Sequence, residues 1–434
     1  MRLLLVELNE INFDVVKLYV DSGESLPGFE LLFKNNLKTT SSEDIYENLE
    51  PWIQWPSVHT GKKYEEHGVF RLGDIVNFDH KQIFEKVEEA GFSVGAISPM
   101  NAKNSLKKPS YFIPDPWTQT DSDSSFINQG IASAVSQSVN DNSSSRITMK
   151  SLFYLFLGFL LNIKFRKKLY LIKYAISALG KPWRKALFLD MFLHEIHLNL
   201  FQRNNTNFST LFLNAGAHIQ HHYFFNSKVI KKNNVVNPDW YINKDLDPFY
   251  EMILCYDQII QELLSINDCE IIIATGLSQI PYKKTKFYYR LENHKKFLSK
   301  LGIKFKDIYP RMTRDFLITF DNTVDAINAN NLLNEIYVDK QVKLFGLIKN
   351  RGKELFVTLT YPNEIKDSCL INIGSSKTKL KDEVIFVAIK NGMHCSKGYA
   401  FFSKNLESIS PANGDHVSNI HETILKAFDI SKAC

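Results

Sequence analysis

Histidine and carboxylate side chains in four short segments have the types and spacing that acid–base or metal chemistry requires. His218 and His221 stand in NAGAHIQHHYFF, after an apolar run, and can meet on one face of a helical turn. Neutral imidazole nitrogens placed in this way bind a metal or move protons. Glu10, after LLLVELN, and His59, in WPSVHTG, are candidate general bases. His394, in the turn GMH, is a candidate metal ligand together with His221, and a structural role is the alternative for each histidine.

Aromatic and polar residues are mixed in the segment EPWIQWPSVHTGKKYEEHGVF, as they are in the wall of a ligand site. Trp52 and Trp55 can stack on a sugar or a base, and Gln54 can bond hydroxyl groups. The alternative is a buried aromatic loop that closes the fold. Arg71 and Arg290 are candidates for pairing with a phosphate group.

Strands must alternate with helices to position these side chains. RLLLVELNE, SVGAISP, STLFLNAGA and CEIIIATG read as buried strands, and helical patterns such as DPFYEMILCYDQIIQELLSIND lie between them. This alternation predicts an α/β fold, a doubly wound three-layer α/β/α sheet. In such sheets the site lies at the carboxyl ends of the strands, which adds Asn9 and Gln279 to the substrate-binding candidates.

The pattern also predicts two insertions into one α/β core. The core comprises residues 1–145, 206–300 and 381–434. A basic, apolar helical insertion occupies residues 146–205, and a small α+β insertion occupies residues 301–380.

Charge is concentrated in the helical insertion. Residues 146–189 contain ten Lys or Arg and no Asp or Glu, beside the apolar run SLFYLFLGFLLNIKF. Such a segment suits a helix that lies on an anionic membrane surface. The alternatives are a helical cap that packs on the core and a surface for a protein partner. No nucleic-acid partner is expected, because no recognised binding motif accompanies the charge.

Composition limits the class of protein and its compartment. With 434 residues, 44% hydrophobic and 23% charged, the chain is neither disordered nor collagen-like. Its five cysteines are dispersed and form no CxxC pair, which favours a reducing cytosol over a disulfide framework. The N-terminal apolar run is too short for a signal peptide, and no run is long enough to span a membrane. We therefore expect a cytoplasmic protein, peripheral at the inner face of the membrane if the basic segment binds there.

Several segments, taken in order, resemble the alkaline phosphatase superfamily, in particular its phosphodiesterase and nucleotide pyrophosphatase branch. They are LLLVELNE, EPWIQWPSVHTG with EEHGVF, AHIQH, IIIATGLSQ and GMH. The most specific of them is the block in which Thr60-Gly61 precedes His67-Gly68. The resemblance spans residues 3 to about 403 and implies the fold of that family and a phosphate or sulfate ester as substrate.

The same resemblance implies that most of the family's ligand positions and its nucleophile are replaced. His221 and His394 keep the family's imidazoles. The replaced positions are Asn9 for the first aspartate, Pro51 for the hydroxyl nucleophile, Ala217 for the aspartate of Asp-x-x-x-His, and Gly276-Leu277 for Asp-His. A two-metal mechanism needs oxygen-rich ligands and an activated hydroxyl, so the sequence does not support one and leaves room for a single divalent metal.

Two classes of function follow from these features. The first is an enzyme that acts on a phosphate-bearing carbohydrate, namely a nucleotide-sugar, a sugar-phosphate or a lipid-linked glycan. It would act as a hydrolase, or as a glycosyl or phosphoglycosyl transferase of surface-polysaccharide assembly. The second is a non-catalytic relative that binds a glycan or a partner protein. Dense polar residues at the strand ends favour a rebuilt site over a decayed one.

Overall fold

The computed structural model describes residues 1–140, 148–230, 235–311, 314–373 and 376–430, and the chain divides into two units. The larger unit comprises Met1–Lys231, Asn243–Pro281 and Gly392–Cys434. The smaller unit comprises Lys232–Ile242 and Tyr282–Asn391. The predicted helical insertion belongs to the larger unit, and the predicted α+β insertion lies inside the smaller one, which begins earlier and ends later than the sequence indicates.

The strands and helices follow the chain in this order. The strands are β1 Leu3–Leu8, β2 Leu37–Ser41, β3 Val94–Ile97, β4 Tyr111–Ile113, β5 Phe208–Leu213, β6 Glu270–Ala274, β7 Ser278–Leu291, β8 Asp307–Pro310, β9 Asp315–Thr319, β10 Tyr337–Val338, β11 Val342–Lys343, β12 Leu347–Asn350, β13 Glu354–Thr358, β14 Leu370–Ile373, β15 Ser376–Lys379, β16 Val384–Cys395 and β17 Lys397–Phe402. The helices are α1 Phe13–Asp21, α2 Pro27–Lys34, α3 Pro51–Thr60, α4 Tyr64–His67, α5 Ile83–Glu89, α6 Phe126–Asn140, α7 Met149–Asn162, α8 Phe165–Ser177, α9 Pro182–Arg203, α10 Ala215–Tyr223, α11 Pro248–Leu264, α12 His294–Lys300, α13 Thr323–Asn334 and α14 Asn419–Ala427.

A seven-stranded sheet with the order β2-β17-β6-β1-β5-β3-β4 forms the centre of the larger unit. β1 pairs in parallel with β5 and β6, and β3 pairs in parallel with β5 and β4. β17 is antiparallel to both of its neighbours, β6 and β2. The carboxyl ends of β1, β5 and β6 therefore meet at one edge, and the amino end of β17 lies at that same edge.

Helices cover both faces of this sheet. Alternate residues of the strands, such as Leu3, Leu5 and Phe212, share a buried apolar cluster with residues of α3, α5 and α14. On the opposite face His197 of α9 bonds Ser209 of β5, and Phe13 of α1 stacks on Tyr399 of β17. Since side chains alternate between the faces of a strand, both faces are buried. The predicted three-layer α/β/α architecture is therefore present.

The continuous apolar runs form the predicted strands, and the aromatic segment forms a helix instead of the loop that was the alternative to a ligand wall. RLLLVEL, STLFL and EIIIA are β1, β5 and β6, each almost wholly buried. EPWIQWPSVHTG instead contains α3, which begins with Pro51 and ends at Gly61 with φ 74°. Proline is tolerated at the first position of a helix, and glycine accepts the left-handed conformation that ends one.

The smaller unit has its own apolar core. It holds two four-stranded sheets, β11-β10-β14-β15 and β12-β13-β9-β8. α13 begins after Asn322, whose side chain accepts a hydrogen bond from the amide of Asp325. Residues such as Phe316, Leu333 and Leu355 are buried in one cluster within this unit. Across the described part of the chain, no helix combines the length and the hydropathy needed to cross a bilayer.

Candidate metal centre

Glu10 stands directly after β1 in a backbone conformation that non-glycine residues rarely adopt. Its φ is 63°, in the left-handed region. Two hydrogen bonds hold it there: its amide donates to the carbonyl of Thr275 at 3.0 Å, and its carbonyl accepts from Nε2 of Gln220 at 2.8 Å. Strained residues of this kind persist where the surroundings fix them, and they are frequent at functional sites.

His221 and His394 reach the same edge of the sheet from two other elements. His221 lies on α10, which follows β5. Asp190 of α9 fixes the start of α10, because its carboxylate accepts from the amides of Asn214 and Ala215. Burial raises the pKa of Asp190 to about 6. His394 lies near the end of β16, just before β17, whose amino end is at this edge.

The three side chains converge on one point, which we call the Glu10 site. Oε2 of Glu10 lies 3.3 Å from Nε2 of His221 and 3.1 Å from Nε2 of His394, and the two Nε2 atoms are 3.3 Å apart. Glu10 is 3% exposed, whereas the imidazoles are 20% and 12% exposed. A buried carboxylate oxygen and two partly open nitrogens therefore form a nearly equilateral triangle.

The outer nitrogens of both imidazoles already have acceptors. Nδ1 of His221 lies 3.2 Å from the carbonyl oxygen of Gly392, and Nδ1 of His394 lies 3.4 Å from Oε2 of Glu50. A carbonyl only accepts, so Nδ1 of His221 carries a proton, and in the neutral imidazole its Nε2 then presents a lone pair. The same holds for His394 beside an ionised Glu50. Metal-binding histidines in proteins nearly always show this arrangement.

A single divalent cation fits this donor set. A tetrahedral cation with bonds of about 2.0–2.1 Å to nitrogen and oxygen keeps its ligand atoms about 3.3–3.4 Å apart, close to the three distances here. Two histidines and one carboxylate are also a known ligand set of catalytic zinc sites, which leave a fourth position open. Glu10, His221 and His394 would hold the cation.

The electrostatics of Glu10 agree with a ligand role. Burial of the carboxyl raises its pKa, but the charges and hydrogen bonds of His394 and His221 outweigh burial and hold the pKa well below its ordinary value. Nε2 of Gln279 donates to Oε2 of Glu10 at 2.5 Å and to the carbonyl of Ala217 at 3.0 Å. Glu10 is therefore ionised at neutral pH and held in one orientation, which suits a ligand better than the predicted general base.

Close packing sets the position of the Gly392 carbonyl. A Cβ at this position would lie 2.1 Å from Oε1 of Gln279 and 2.8 Å from the carbonyl oxygen of Gln220. Only glycine therefore allows β16 to approach α10 closely enough for its carbonyl to meet His221.

The residues at the replaced family positions do not fit a second metal. Oδ1 of Asn9 accepts a hydrogen bond from the indole of Trp55 at 2.8 Å. A Cβ at Gly276 would lie 3.2 Å from that same indole. Ala217 is 4% exposed and offers no ligand atom. The Trp55 indole therefore packs between Asn9 and Gly276, where the resemblance implies ligands.

A second cluster of possible ligands has a different partner. His194, Glu195 and Glu262 lie close together on α9 and α11. The ammonium of Lys167 bonds Glu262 and lies 3.4 Å from Glu195. A lysine therefore supplies the positive charge at this cluster.

Several predicted site residues come together at the Glu10 site. Nδ2 of Asn9 donates to Oε1 of Glu10 at 3.1 Å and to Asn214, and Gln279 contacts Glu10 as described. His218 lies on α10, half-buried, with its ring 4.8 Å from that of His222. The roles assigned to these residues stay predictions.

Other predicted site residues are placed elsewhere, and their predicted roles need correction. His59 is completely buried and its Nε2 pairs with Oε1 of Glu7 at 2.9 Å, so it cannot act as a base on a substrate. Trp55 is also completely buried, so it cannot stack on a sugar. Gln54 is buried with its amide bonded to the carbonyl of Asn48, which excludes it as a ligand for hydroxyls.

Three remaining candidates are at least partly accessible. Trp52 is partly exposed, and its indole donates to the carbonyl of Phe70 at 3.1 Å. Arg71 is exposed in the larger unit. Arg290 is partly exposed in β7 and belongs to the smaller unit.

The block with Thr60-Gly61 and His67-Gly68 has a structural role. Gly61 and Gly68 end α3 and α4 in left-handed conformations. Nδ1 of His67 accepts from the amide of Val69, so its Nε2 donates to Oγ of Ser57. Burial lowers the pKa of His67 to about 4, so the imidazole is neutral.

Sequence reasoning missed Glu50 and Gln220. Glu50 precedes α3, and Gln220 bonds both the Glu10 carbonyl and the amide of Asn12. Gln220 stands immediately before His221 in AHIQHH, so its position in sequence was a usable signal. Glu50 became visible only once the segment was known to be a helix that starts at Pro51.

The chain matches no protein-family model, and no curated protein matches it. Solved structures similar to it along its whole length include three proteins. Phosphonoacetate hydrolase from Sinorhizobium meliloti 1021 has 10% identity, covers 98% of this chain and 96% of its own, and has a TM-score of 0.43. Murine ectonucleotide pyrophosphatase/phosphodiesterase 5 has 11% identity, coverage of 100% and 96%, and a TM-score of 0.43. Alkaline phosphatase from the Antarctic bacterium TAB5 has 8% identity, coverage of 99% and 99%, and a TM-score of 0.39.

These structures share the length of this chain and about a tenth of its sequence. The described residues show the fold directly: helices cover both faces of a seven-stranded α/β sheet.

Proposed function

We propose that this protein cleaves phosphate esters at the Glu10 site with the help of one divalent cation. The observation that carries the proposal is the convergence of one buried carboxylate oxygen and two imidazole nitrogens at mutual distances of 3.1–3.3 Å. Three acceptors placed so close together repel one another unless a cation or protons lie between them. The choice of a phosphate ester rests on the sequence resemblance to the alkaline phosphatase superfamily.

The protein side chains would orient the reaction and accept its protons. When bound, a divalent cation supplies a Lewis acid that polarises a phosphoryl oxygen. Glu10, ionised and fixed by Gln279, balances the charge of the cation. Glu50 is the more accessible carboxylate, with 31% of its side chain exposed, and it adjoins His394. We assign to Glu50 the orientation of His394 and the uptake of a proton released by the attacking group.

The attacking group would come from outside the protein. At the position where the resemblance implies a hydroxyl nucleophile stands Pro51, the first residue of α3. Water therefore attacks in the hydrolase form of the proposal, and an acceptor hydroxyl attacks in the transferase form. Release of free phosphate or of a phosphorylated acceptor distinguishes them.

A phosphate-bearing carbohydrate remains our proposed substrate. With Trp55 and Gln54 buried, Trp52 is the aromatic residue of α3 that is left to contact a sugar ring. Of the two arginines predicted to pair with a phosphate, Arg71 is the exposed one in the larger unit. If Trp52→Ala lowers turnover of a nucleotide-sugar and of nitrophenyl phosphate equally, the carbohydrate part of the proposal is wrong.

The contacts of the Glu10 site also favour a non-catalytic alternative. Glu10 lies at ion-pairing distance from both imidazoles, so protonated histidines would satisfy it without a metal. In that case the protein binds a glycan or a partner and catalyses nothing.

Metal analysis and turnover distinguish the two functions. We expect the purified protein to bind one Zn²⁺ or Mn²⁺ per chain and to turn over nitrophenyl phosphate, its diester or a nucleotide-sugar. His221→Ala and His394→Ala should abolish metal binding and turnover and keep the melting temperature. His222→Ala, on the same helix, is the matched control. Wild-type protein that binds no divalent metal at micromolar concentration and turns over none of these substrates would favour the non-catalytic alternative.

A further inference from the structure

The exposed face of α7 is apolar and its buried face is polar or small, the reverse of an ordinary surface helix. The buried residues are Ser151, Tyr154, Gly158 and Asn162. The exposed large apolar residues, from 43% to 81% exposed, are Met149, Leu152, Phe153, Phe156, Leu160 and Leu161. Monomeric soluble proteins rarely expose six large apolar side chains together on one helix face.

Contacts with α6 fix this orientation of α7. The Tyr154 ring lies on Gly130, where a Cβ would be 2.0 Å from the ring. A Cβ at Gly158 would lie 2.9 Å from Ile131, and Oγ of Ser151 donates to Gln137 at 2.5 Å. Rotation of α7 to bury its phenylalanines would break these contacts, so the fold itself directs the apolar face outward.

The next helix extends the same surface. In α8 and the turn after it the exposed large apolar residues are Phe165, Leu169, Tyr170, Ile172, Ile176 and Leu179, from 40% to 76% exposed. Leu171 is the only buried residue of α8. We call α7 and α8 together the basic hairpin. Its exposed apolar stripe runs along both helices, so the helical cap predicted as an alternative is contradicted for Phe153, which is 54% exposed.

The charges of the basic hairpin are all of one sign. Residues 146–189 carry ten Lys or Arg and no acid, although Arg146 and Ile147 lie outside the described residues. Lys167 pairs with Glu262, and Arg184 makes a bidentate pair with Glu251 at 2.6 and 3.0 Å; both acids lie on α11. These two ion pairs connect the segment to α11. The basic residues exposed to solvent are Lys150, Lys164, Arg166, Lys173 and Lys185.

We propose that the basic hairpin docks on a lipid surface that carries anionic headgroups. Phenylalanine and leucine side chains beside lysines on short helices are the composition of segments that lie in the headgroup region of a bilayer. A second copy of the chain would bring like charges together over the same area. The anionic leaflet that this surface fits is the cytoplasmic one.

This docking is independent of the proposed chemistry. The basic hairpin contains none of the residues of the Glu10 site. Loss of lipid binding without loss of turnover, or the reverse, would therefore identify which of the two proposals fails.

Sedimentation of the full chain with vesicles tests the docking. Wild-type protein should bind vesicles of phosphatidylcholine mixed with phosphatidylserine far better than vesicles of phosphatidylcholine alone. Binding should weaken as salt rises from about 0.1 M to about 1 M, which shortens the Debye length from about 10 Å to about 3 Å.

Two variants separate the electrostatic and apolar contributions. The triple change Lys164→Gln, Arg166→Gln and Lys173→Gln should lower partition about 10- to 100-fold, since each charge near the surface is worth up to about fivefold. Lys295→Gln, Lys296→Gln and Lys304→Gln, exposed in the smaller unit, remove the same charge and should change partition little. Phe153→Ser with Phe156→Ser should abolish the salt-resistant part and leave the melting temperature unchanged.

Three results would overturn the proposal. The first is equal binding, or none, of wild-type protein to neutral and anionic vesicles. The second is a dimer in sedimentation equilibrium that dissociates in the Phe153→Ser, Phe156→Ser variant, which would show that a second copy covers the surface. The third is a melting temperature that falls in that variant, as expected if the side chains fill a core.

Discussion

Glu7 and Glu10 lie three residues apart at one end of β1, yet their surroundings differ in burial and in hydrogen-bond partners. Glu7 faces α3 within the apolar core, where Oε1 lies 2.9 Å from Nε2 of His59 and both side chains are completely buried. Glu10 lies beyond the last strand residue and meets two imidazoles that solvent reaches. The Glu7–His59 pair shares one hydrogen bond, and Oε2 of Glu7 and Nδ1 of His59 have no hydrogen-bond partner among the described residues. At the Glu10 site three atoms that can accept hydrogen bonds face one another, and a bound cation would offset their repulsion.

The largest expected effect concerns the enclosed pair. Glu7→Leu leaves a buried imidazole without its partner, and loss of one member of a buried pair costs about 3–5 kcal/mol of unfolding free energy. Urea denaturation measures this loss, and turnover per folded molecule should stay near the wild-type value. The double change Glu7→Leu with His59→Phe should recover most of the stability. A loss of turnover in folded Glu7→Leu protein would contradict the structural role of this pair.

The next largest effect is a loss of metal affinity and turnover at the Glu10 site. Glu10→Gln removes the charged ligand, so affinity for Zn²⁺ and turnover should fall at least about 100-fold, which corresponds to about 2.7 kcal/mol. Isothermal titration with Zn²⁺ and steady-state assays measure these quantities. An unchanged metal affinity would show that Glu10 is only an ion-pair partner of the two histidines. His222→Ala serves as the control for metal binding on α10.

A smaller effect is expected at Glu50. Outer partners of metal ligands typically contribute 10- to 100-fold to affinity or activity. Glu50→Gln keeps an acceptor for Nδ1 of His394 and removes the carboxylate, so metal affinity should fall less than turnover does. The pH profile of turnover should then lose its acidic limb. A parallel fall of affinity and turnover with an unchanged profile would limit Glu50 to orienting His394.

The smallest effect is a pH dependence confined to acid. Glu10 has a folded-state pKa well below its ordinary value of 4.5, so its ionisation stabilises the fold above that value, and this contribution is lost as pH falls through the folded pKa. Without metal, the stability of wild type relative to Glu10→Gln, measured as the difference in urea midpoint, should decrease as pH falls below about 4.5.

Three buried neutral histidines affect both proteins in that experiment and cancel in the difference. Burial lowers the pKa of His67 to about 4 and those of His197 and His421 to about 3. Below about pH 6.5 these histidines bind protons in the unfolded chain but stay neutral in the folded one. Both proteins therefore lose stability as pH falls through this range. A difference in urea midpoint that stays constant as pH falls below about 4.5 would show that the pKa of Glu10 is not lowered in the fold.

The sequence predicted the parts of the fold that long apolar patterns encode. β1, β5, β6 and α11 lie where the continuous or 3.6-residue patterns indicate them, because a parallel strand buried on both faces has to be apolar throughout. α3 was not predicted as a helix. It holds Pro56 and is buried almost all round, so its residues show no amphipathic period.

The sequence indicated which residues lie close together where their proximity depends on strand ends, and it did not where proximity depends on side-chain direction. Asn9, Glu10, His221, Gln279 and His394 all follow or flank strands whose ends meet at one edge. His59 and Trp55 point from α3 into the core, which only the helical phase of α3 could reveal. The sequence likewise could not show that α7 turns its apolar face outward, because this orientation comes from the contact of Tyr154 with Gly130 of α6.

The position of β17 inside the sheet has a consequence for how the protein is made. This strand lies between β6 and β2, although it is the last strand in sequence, and it brings His394 with it. During synthesis the ribosome releases β17 after every other strand, so the nascent sheet keeps two unpaired inner edges until then. Such long-range pairing is slow and exposes the intermediate to aggregation. Metal capture by three ligands is also postponed to this last step, so a chain stalled before residue 394 would hold only two of them.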